Sequence, residues 1–558
     1  MTATIIFVLL FGLMLTGMPV SISLGLTVLA FLFAMTQVPI ESVALKLFTG
    51  IERFEIMAIP FFILAGNFLT HGGVARRMIN FATSIVGHWH GGLGLAGVMA
   101  CALFAAVSGS SPATVVAIGS IVLPAMVKAG FPKRFGAGVI TTSGALGILI
   151  PPSIVMVMYS VATNTSVGTL FMAGVVPGLM LAFMLGALTW YRARKNHYPR
   201  MPLAAGRTGA QATIASLAGL CASLFFIAAP IVALWLLTRQ LFASGGGILL
   251  VLAGIGWLLA ARRLTASAFV LRWMFTLGFA VTPPVVAYGL IGLFAPSLGL
   301  SLLAVLSAAW LAALVPLAKR ADLVRHGALE ARHEALAVWK SFWESVWGLL
   351  LVIVVLGGIY SGVFTPTEAA AMSAVYAFFV AVFVYRDMSL KQLPKVLLDS
   401  ANMSAMLLYI ITNAVLFSYL LTSEQIPQAM ADWMIAQGLG AVGFLLMVNV
   451  LLLLAGNVME PSSIVLITAP ILFPVASRLG INPIHFGILI TVNMEVGMCH
   501  PPVGLNLYVA SGITKMGITE LTIAVWPWLL TMLVFLGVVT YVPQVSLWLP
   551  RVLGMMGG

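Results

Sequence analysis

The chain has 558 residues, 61% hydrophobic and only 8% charged, with a mean hydropathy of +1.11. Soluble domains carry about 25% charged residues, so water is excluded as the main solvent. The net charge of +12 fits the basic loops that orient membrane proteins better than it fits nucleic-acid contact. Cys101, Cys221 and Cys499 lie in apolar surroundings without CxxC spacing, which indicates neither a disulfide framework nor a zinc site.

A spanning helix needs about 20 apolar residues, and such runs recur from Ile5–Phe33 to Leu529–Tyr541. Only helices and closed barrels satisfy their backbone in lipid. These runs are too continuously apolar for barrel strands, whose pattern alternates. The expected fold class is therefore all-α and polytopic. Residues 1–34 lack a basic leading segment and a cleavage site, and read as a first retained helix rather than a signal peptide.

Residues 1–205 form a first half of Gly- and Pro-interrupted helices, closing in a basic loop with Arg192, Arg194, Lys195, Arg200 and Arg207. Residues 206–322 hold four candidate spans at 214–238, 243–260, 273–295 and 299–318. Their loops carry Arg239, then Arg262, Arg263 and Arg272, then no charge, before Lys319, Arg320 and Arg325. This alternation suits four spans that start and end in the cytoplasm. An even number of added spans leaves the downstream orientation unchanged, so the stretch reads as an insertion.

Residues 323–346 set Arg332, Glu334, Lys340 and Glu344 beside Leu336, Trp339, Phe342 and Trp343. That pattern suits either an interfacial arm helix or a plain linker. Residues 347–558 form the second half. In Thr365-Pro366-Thr367-Glu368, Thr365 can cap a helix, Pro366 fits its first position and Glu368 can reach back to the cap amide. Glu368 is thus expected to be a capping residue and not a proton carrier.

The two halves correspond. Gly109-Ser110-Ser111-Pro112, Pro124, Pro132 with Gly136, and Pro151-Pro152 in the first answer Glu460-Pro461-Ser462-Ser463, Pro474, Pro483 with Gly487, and Pro501-Pro502 in the second. Pro124 to Pro151 and Pro474 to Pro501 each span 27 residues. Proline removes an amide donor and clashes with the preceding turn, and the backbone groups so freed must be buried in protein or line a polar cavity. Matched interruptions in two halves point to the midplane site of a secondary transporter. Half-helix C-termini suit a cation there, and half-helix N-termini suit a carboxylate.

Polar residues flank these breaks. Ser and Thr in membrane helices often bond only to their own backbone, so Ser108, Ser110, Ser111 and Thr114 are each weak indications alone. Glu460 carries more weight, because an acid in the membrane is expensive and usually functional. Glu495 is either of that kind, or a helix cap, or a group reaching an aqueous surface. No HExxH, nucleotide loop or GxSxG elbow supports an enzyme.

At these residues the sequence resembles the large membrane (M) subunit of TRAP transporters, the tripartite ATP-independent periplasmic transporters. The stretches that carry the resemblance are Gly109-Ser-Ser-Pro-Ala-Thr114, Gly119-Ser-Ile-Val-Leu-Pro124 and Gly144-Ala-Leu-Gly-Ile-Leu-Ile-Pro-Pro-Ser153. They continue with Gly362-Val-Phe-Thr-Pro-Thr-Glu-Ala-Ala370, Ile484-His-Phe-Gly487 and Pro501-Pro-Val-Gly-Leu-Asn-Leu507. Residues about 205–340 fall outside the quoted stretches and read as lying outside the resemblance.

The resemblance implies an inverted repeat with two re-entrant helical hairpins and discontinuous helices, working as an elevator in the bacterial inner membrane. A periplasmic substrate-binding protein would deliver an organic acid (a C4-dicarboxylate, sialic acid or another sugar acid), and Na⁺ would be the coupling ion, with no organic cofactor. By the same carry-over, residues 109–114 and 458–463 look like hairpin tips, and 144–152 and 493–502 like the unwound segments. Substrate contacts are expected from Ser108, Ser110, Ser111, Thr114, Pro152, Glu460, Pro461, Ser462, Asn493 and His500. Sodium is expected, largely through main-chain carbonyls, at Ser110, Gly144, Gly147, Pro151, Asn457, Gly497 and Pro501.

Two departures stand out. Cys499-His500 precede Pro501-Pro502 where the family pattern suggests Thr, and His500 is either a substrate contact, a source of pH dependence or a packed histidine. The four-span insertion could stand in for the family's small (Q) membrane subunit, which has four transmembrane helices. The competing reading is a stand-alone sodium–carboxylate carrier or antiporter that needs no binding protein.

Overall fold

The computed structural model describes residues 2–35, 40–200, 216, 322–438, 440–457, 459–501 and 504–556. The four candidate spans of 206–322, apart from Ser216, lie outside the described residues, as do Val458 and Pro502. The described residues are helical without strands, and eight of their helices are long and apolar enough to cross a membrane. The protein is a multi-pass, all-α membrane protein.

The chain opens on α1 (Thr2–Leu15) and α2 (Val20–Met35). The single first helix expected from the apolar run is thus two helices. Gly17 takes φ +86°, a left-handed conformation that side chains resist, and Pro19 follows it. Next come α3 (Ile40–Ile51), a 3₁₀ turn Phe54–Met57, α4 (Ala58–His71) and α5 (Val74–Val86).

The broken segments of the first half are α6 (Gly92–Ser108), α7 (Ser111–Lys128), α8 (Lys133–Gly144) with a 3₁₀ turn Ala145–Ile148, and α9 (Ile154–Thr163), followed by α10 (Val167–Lys195). After the central stretch, α11 (Asp322–Tyr360) runs unbroken through the expected boundary at 346. Then come α12 (Pro366–Phe379), α13 (Leu393–Ser423) and α14 (Ile426–Ala436). The second set of broken segments is α15 (Ala441–Gly456), α16 (Pro461–Arg478), α17 (Pro483–Cys499) and α18 (Leu505–Thr514), followed by α19 (Ile518–Tyr541) and α20 (Gln544–Val552).

Two compact units result. The smaller comprises 80–92 and 200–346. Among its described residues, the rings of Phe81 and Phe342 lie 5.6 Å apart and the hydroxyls of Ser84 and Ser341 2.8 Å apart.

The larger unit comprises 1–79, 93–199 and 347–558. Part of it packs α13 on α2, α3 and α4, and α12 on α4. Asn67 on α4 donates to Ser400 Oγ on α13 at 2.7 Å. The helix after Thr365 starts as the sequence indicates: Glu368 N–H donates to Thr365 Oγ1 at 3.3 Å, and Thr365 N–H to Glu368 Oε2 at 2.8 Å. Thr365→Ala is expected to lower unfolding stability in detergent by about 0.5–2 kcal/mol while leaving uptake per folded molecule unchanged.

The rest of the larger unit contains the repeat. A side chain on Gly94 would meet Met126 at 3.6 Å, and one on Gly97 would meet Val122 at 3.3 Å. Contacts that close inward in this way describe an antiparallel hairpin of α6 and α7 with its tip near Gly109. Packing between the halves is reciprocal, α7 against α18 and α16 against α9.

Direction is set by two bonds. Tyr159 OH, in the second half of α9, donates to the Pro483 carbonyl at the start of α17 (2.8 Å). Arg134, at the start of α8, donates to Glu520 at the start of α19 (2.8 Å). The α8–α9 and α17–α18 segments therefore run in opposite directions. A further match, invisible in the residue types, closes them. Asn164 and Lys515, 351 residues apart, are both left-handed C-caps, with φ of 57° and 53°.

Candidate functional site

The breaks meet where the halves meet. Gly109 takes φ +60° between α6 and α7, and a side chain there would lie 2.9 Å from the Pro152 carbonyl. A Cβ on Gly147 would come within 2.5 Å of the Ser110 carbonyl oxygen and 2.8 Å of Ser111 Cα. Only glycine allows the hairpin tip to seat directly on the 3₁₀ turn.

The hydroxyls of this tip divide their work. Thr114 Oγ1 donates to the Ser110 carbonyl at 2.8 Å and lies 2.9 Å from Ser108 Oγ, which is itself 3.4 Å from that carbonyl. Those two bond back to local backbone. Ser111 instead reaches across, donating to the Gly144 carbonyl at 3.0 Å. Asn506, in the first turn of α18, donates in turn to Ser111 Oγ at 2.7 Å. Asn506 Nδ2 also lies 3.7 Å from Cys499 Sγ, and that thiol approaches the Thr141 carbonyl at 3.5 Å. A chain of polar contacts thus runs from one half through the other.

The second break is built differently. Gly456, ending α15, and Gly497, on α17, touch backbone to backbone, a Cβ on either lying within 3.0 Å of the other's Cα. His500 Nδ1 lies 3.0 Å from Asn457 Oδ1, and His500 N–H donates to the Gly497 carbonyl at 3.1 Å. Cys499 and His500 are thus both built into the polar contacts of the breaks. Pro501 follows in the same turn. At the other tip, Ser462 donates to Glu460 Oε1 at 2.9 Å, while Pro461 occupies the first helical position of α16.

Of the residues singled out from sequence, Ser108, Ser110, Ser111, Thr114, Gly144, Gly147 and Pro152 converge on one cluster. Asn457, Gly497 and His500 gather at the second break. Asn493 joins neither. It donates to Asn449 Oδ1 on α15 at 2.8 Å, and Asn449 donates to Thr540 Oγ1 on α19 at 2.9 Å, so it ties three helices together. Glu495 is neither a cap nor at an aqueous surface: it is fully buried inside α17. Sequence reasoning passed over Asn506 and Ser143. Asn506 lay within a quoted motif, and its polarity in the first turn after a Pro-Pro break was the available signal.

Several buried side-chain oxygens on α8, α17 and α18 have no hydrogen-bond partner: Ser143 Oγ, Asn506 Oδ1, both carboxylate oxygens of Glu495 and, away from the breaks, Asn493 Oδ1. Oxygen-rich, donor-poor surroundings are what a hard cation such as sodium takes up, so the residues present fit one.

A multi-pass helical protein with paired helix breaks joined at a buried polar seam belongs to the class of membrane transporters. Comparison with known proteins makes this specific. The family model of the tripartite ATP-independent periplasmic transporter, DctM component, matches residues 7–272 and 276–545. The chain belongs to this family. It is 58% identical to the C4-dicarboxylate TRAP transporter large permease protein DctM of Rhodobacter capsulatus, over 100% of both chains. It is 43% identical to the protein of that name in Pseudomonas aeruginosa, over 96% of this chain and 95% of the relative. The isethionate TRAP transporter permease protein DctMQ of Oleidesulfovibrio alaskensis is 32% identical over 95% of this chain and 64% of its own length.

These relatives are permease subunits, so the role is transport and not catalysis. The match corrects one expectation. The central stretch 205–340 lies within the family match except for 273–275, and not outside it.

Proposed function

We propose that this chain is the inner-membrane permease of a sodium-driven, binding-protein-dependent importer of C4-dicarboxylates. The observation that carries the reading is the Asn506–Ser111–Gly144 chain, which joins the helix breaks of both halves into one polar seam. The names of the relatives at 58% and 43% identity support the substrate class.

The substrate's carboxylates would meet the N-terminal ends of α7 and α16, whose free amides favour negative charge. Ser110, Ser111, Pro152, Pro461 and Ser462 would line that contact, with Ser108 and Thr114 shaping the first tip and Glu460 the second. His500 would hold Asn457 in place and offer its ring edge to the substrate. Asn493 would act at one remove, by holding α17 against α15.

Carbonyls of Ser110, Gly144, Gly147 and Pro151 would hold one sodium ion, and those of Asn457, Gly497 and Pro501, with the Asn457 amide, another. Bound sodium supplies positive charge beside an anionic substrate and couples its entry to the sodium gradient. The set α6–α10 and α15–α19 would slide as an elevator against α2–α4, α12 and α13. Arg53, just before α4, donates to the Val161 carbonyl at 2.7 Å and to the Asn164 side chain. That link between the two sets must break as they slide.

A periplasmic binding protein would deliver the substrate, and a separate small membrane subunit would complete the complex. A separate subunit is favoured over substitution by 206–322, because the DctMQ relative keeps roughly a third of its length beyond a match that already takes in 95% of this chain. Cells carrying only this permease, a small subunit and the binding protein should take up labelled succinate in Na⁺ medium, and at least about tenfold less when choline replaces Na⁺. Uptake indifferent to sodium would overturn the coupling. Uptake without the binding protein would overturn the delivery step.

A further inference from the structure

Glu495 lies within α17, fully buried, with no partner for either carboxylate oxygen. An ionised carboxylate in that position is untenable unless something neutralises it. The helix itself shows which way Glu495 looks. Asn493 and Gly497, four residues apart, share the face of α17 that meets α15, through Asn449 and Gly456. Glu495 and Cys499, also four apart, share a different face. Cys499 identifies its surroundings: the thiol lies 3.5 Å from the Thr141 carbonyl on α8 and 3.7 Å from Asn506 Nδ2 on α18. α17 also packs against the 3₁₀ turn Ala145–Ile148.

Two more buried oxygens belong to these neighbouring elements and lack partners, Ser143 Oγ at the end of α8 and Asn506 Oδ1. The Gly144 carbonyl, at the junction of α8 and the 3₁₀ turn, accepts from Ser111. All of these unpartnered side-chain atoms are oxygens. Carboxylate and amide oxygens left without donors, as at Glu495 and Asn506, call for a cation.

We propose that Glu495 supplies the negative charge of a sodium site, its carboxylate completing a shell with Ser143 Oγ, Asn506 Oδ1 and the Gly144 carbonyl. The proposal rests on the sodium-driven reading above and adds to it. The ion at the first break is held by a side-chain charge on the second repeat, and not by main-chain carbonyls alone. Occupancy therefore locks the two repeats together.

The test is thermal unfolding of the purified chain in detergent, followed by tryptophan fluorescence as NaCl replaces choline chloride at constant ionic strength. The wild type is expected to gain stability with sodium. Glu495→Gln keeps the shape and removes the charge. It is expected to match or exceed the wild type without sodium, and to need at least about tenfold more sodium for the same half-saturation. Ser143→Ala, which leaves the charge untouched, is expected to weaken the sodium response several-fold.

A Glu495→Gln titration superimposable on the wild type would overturn the proposal, since it would mean the carboxyl is simply carried neutral. Should that variant fail to fold, an unchanged titration of Ser143→Ala would overturn it equally. A wild type that responds alike to sodium and choline would instead remove the sodium reading itself.

Discussion

Gly147→Ala is expected to abolish uptake. The added methyl would lie 2.5 Å from the Ser110 carbonyl oxygen, 2.7 Å from the Ser110 carbonyl carbon and 2.8 Å from Ser111 Cα. All three are backbone atoms, so no side-chain rotation relieves the clash, and either the hairpin tip or the 3₁₀ turn must move. Overpacking of this kind costs about 1–3 kcal/mol in a rigid core. It also displaces the Ser111–Gly144 bond that joins the tip to the broken helix. Positioned groups lose function steeply over shifts of about 1 Å, so uptake per folded molecule should fall by about two orders of magnitude. Gly512→Ala is the matched control. It lies in α18 of the other broken segment with nothing within 4 Å of its added methyl, and its uptake should equal the wild type's. Immunoblotting of membranes beside the uptake assay separates loss of transport from loss of protein.

Asn506→Ala should produce the second-largest loss. Asn506 is fully buried and is the second repeat's donor to Ser111. Removing it leaves the Ser111 hydroxyl without that donor and opens space beside Cys499. An unmade buried hydrogen bond costs about 1–3 kcal/mol, which corresponds to about a tenfold or greater fall in transport if the seam must form to carry substrate. The informative experiment pairs it with Ser111→Ala. Residues that share one network are non-additive by about 0.5–3 kcal/mol, so the double variant should be scarcely worse than the more damaged single one. Losses that simply multiply would show that Asn506 and Ser111 act independently, and the seam would not be a unit.

The paired breaks were legible because proline and glycine announce themselves by type. Proline cannot continue a helix, and its 27-residue spacing in both halves survived when the surrounding side chains changed. The Thr365 capping box was readable for a similar reason, since few residues can do that job.

What stayed hidden depended on three-dimensional neighbours. Asn164 tolerates a left-handed conformation, but Lys515 does not advertise one, so that pair of matching caps left no mark in the residue types. Asn493 and Asn506 look equivalent on paper, both being amides near a break. Only the rotation of α17 turns Asn493 towards Asn449, while Asn506 meets Ser111. Glu495 offered three readings from sequence, and its burial removed two of them. The first apolar run looked like one helix because hydropathy does not register the positive φ at Gly17.

Reconstitution tests the central claim most directly. Proteoliposomes holding the purified permease with the proposed small subunit would receive labelled succinate with or without the proposed binding protein, under an inward Na⁺ gradient or with equal Na⁺ on both sides. The account predicts accumulation only when binding protein and gradient are both present, and none in Gly147→Ala vesicles of equal protein content. Accumulation of free succinate without binding protein, or with sodium equal on both sides, would contradict it.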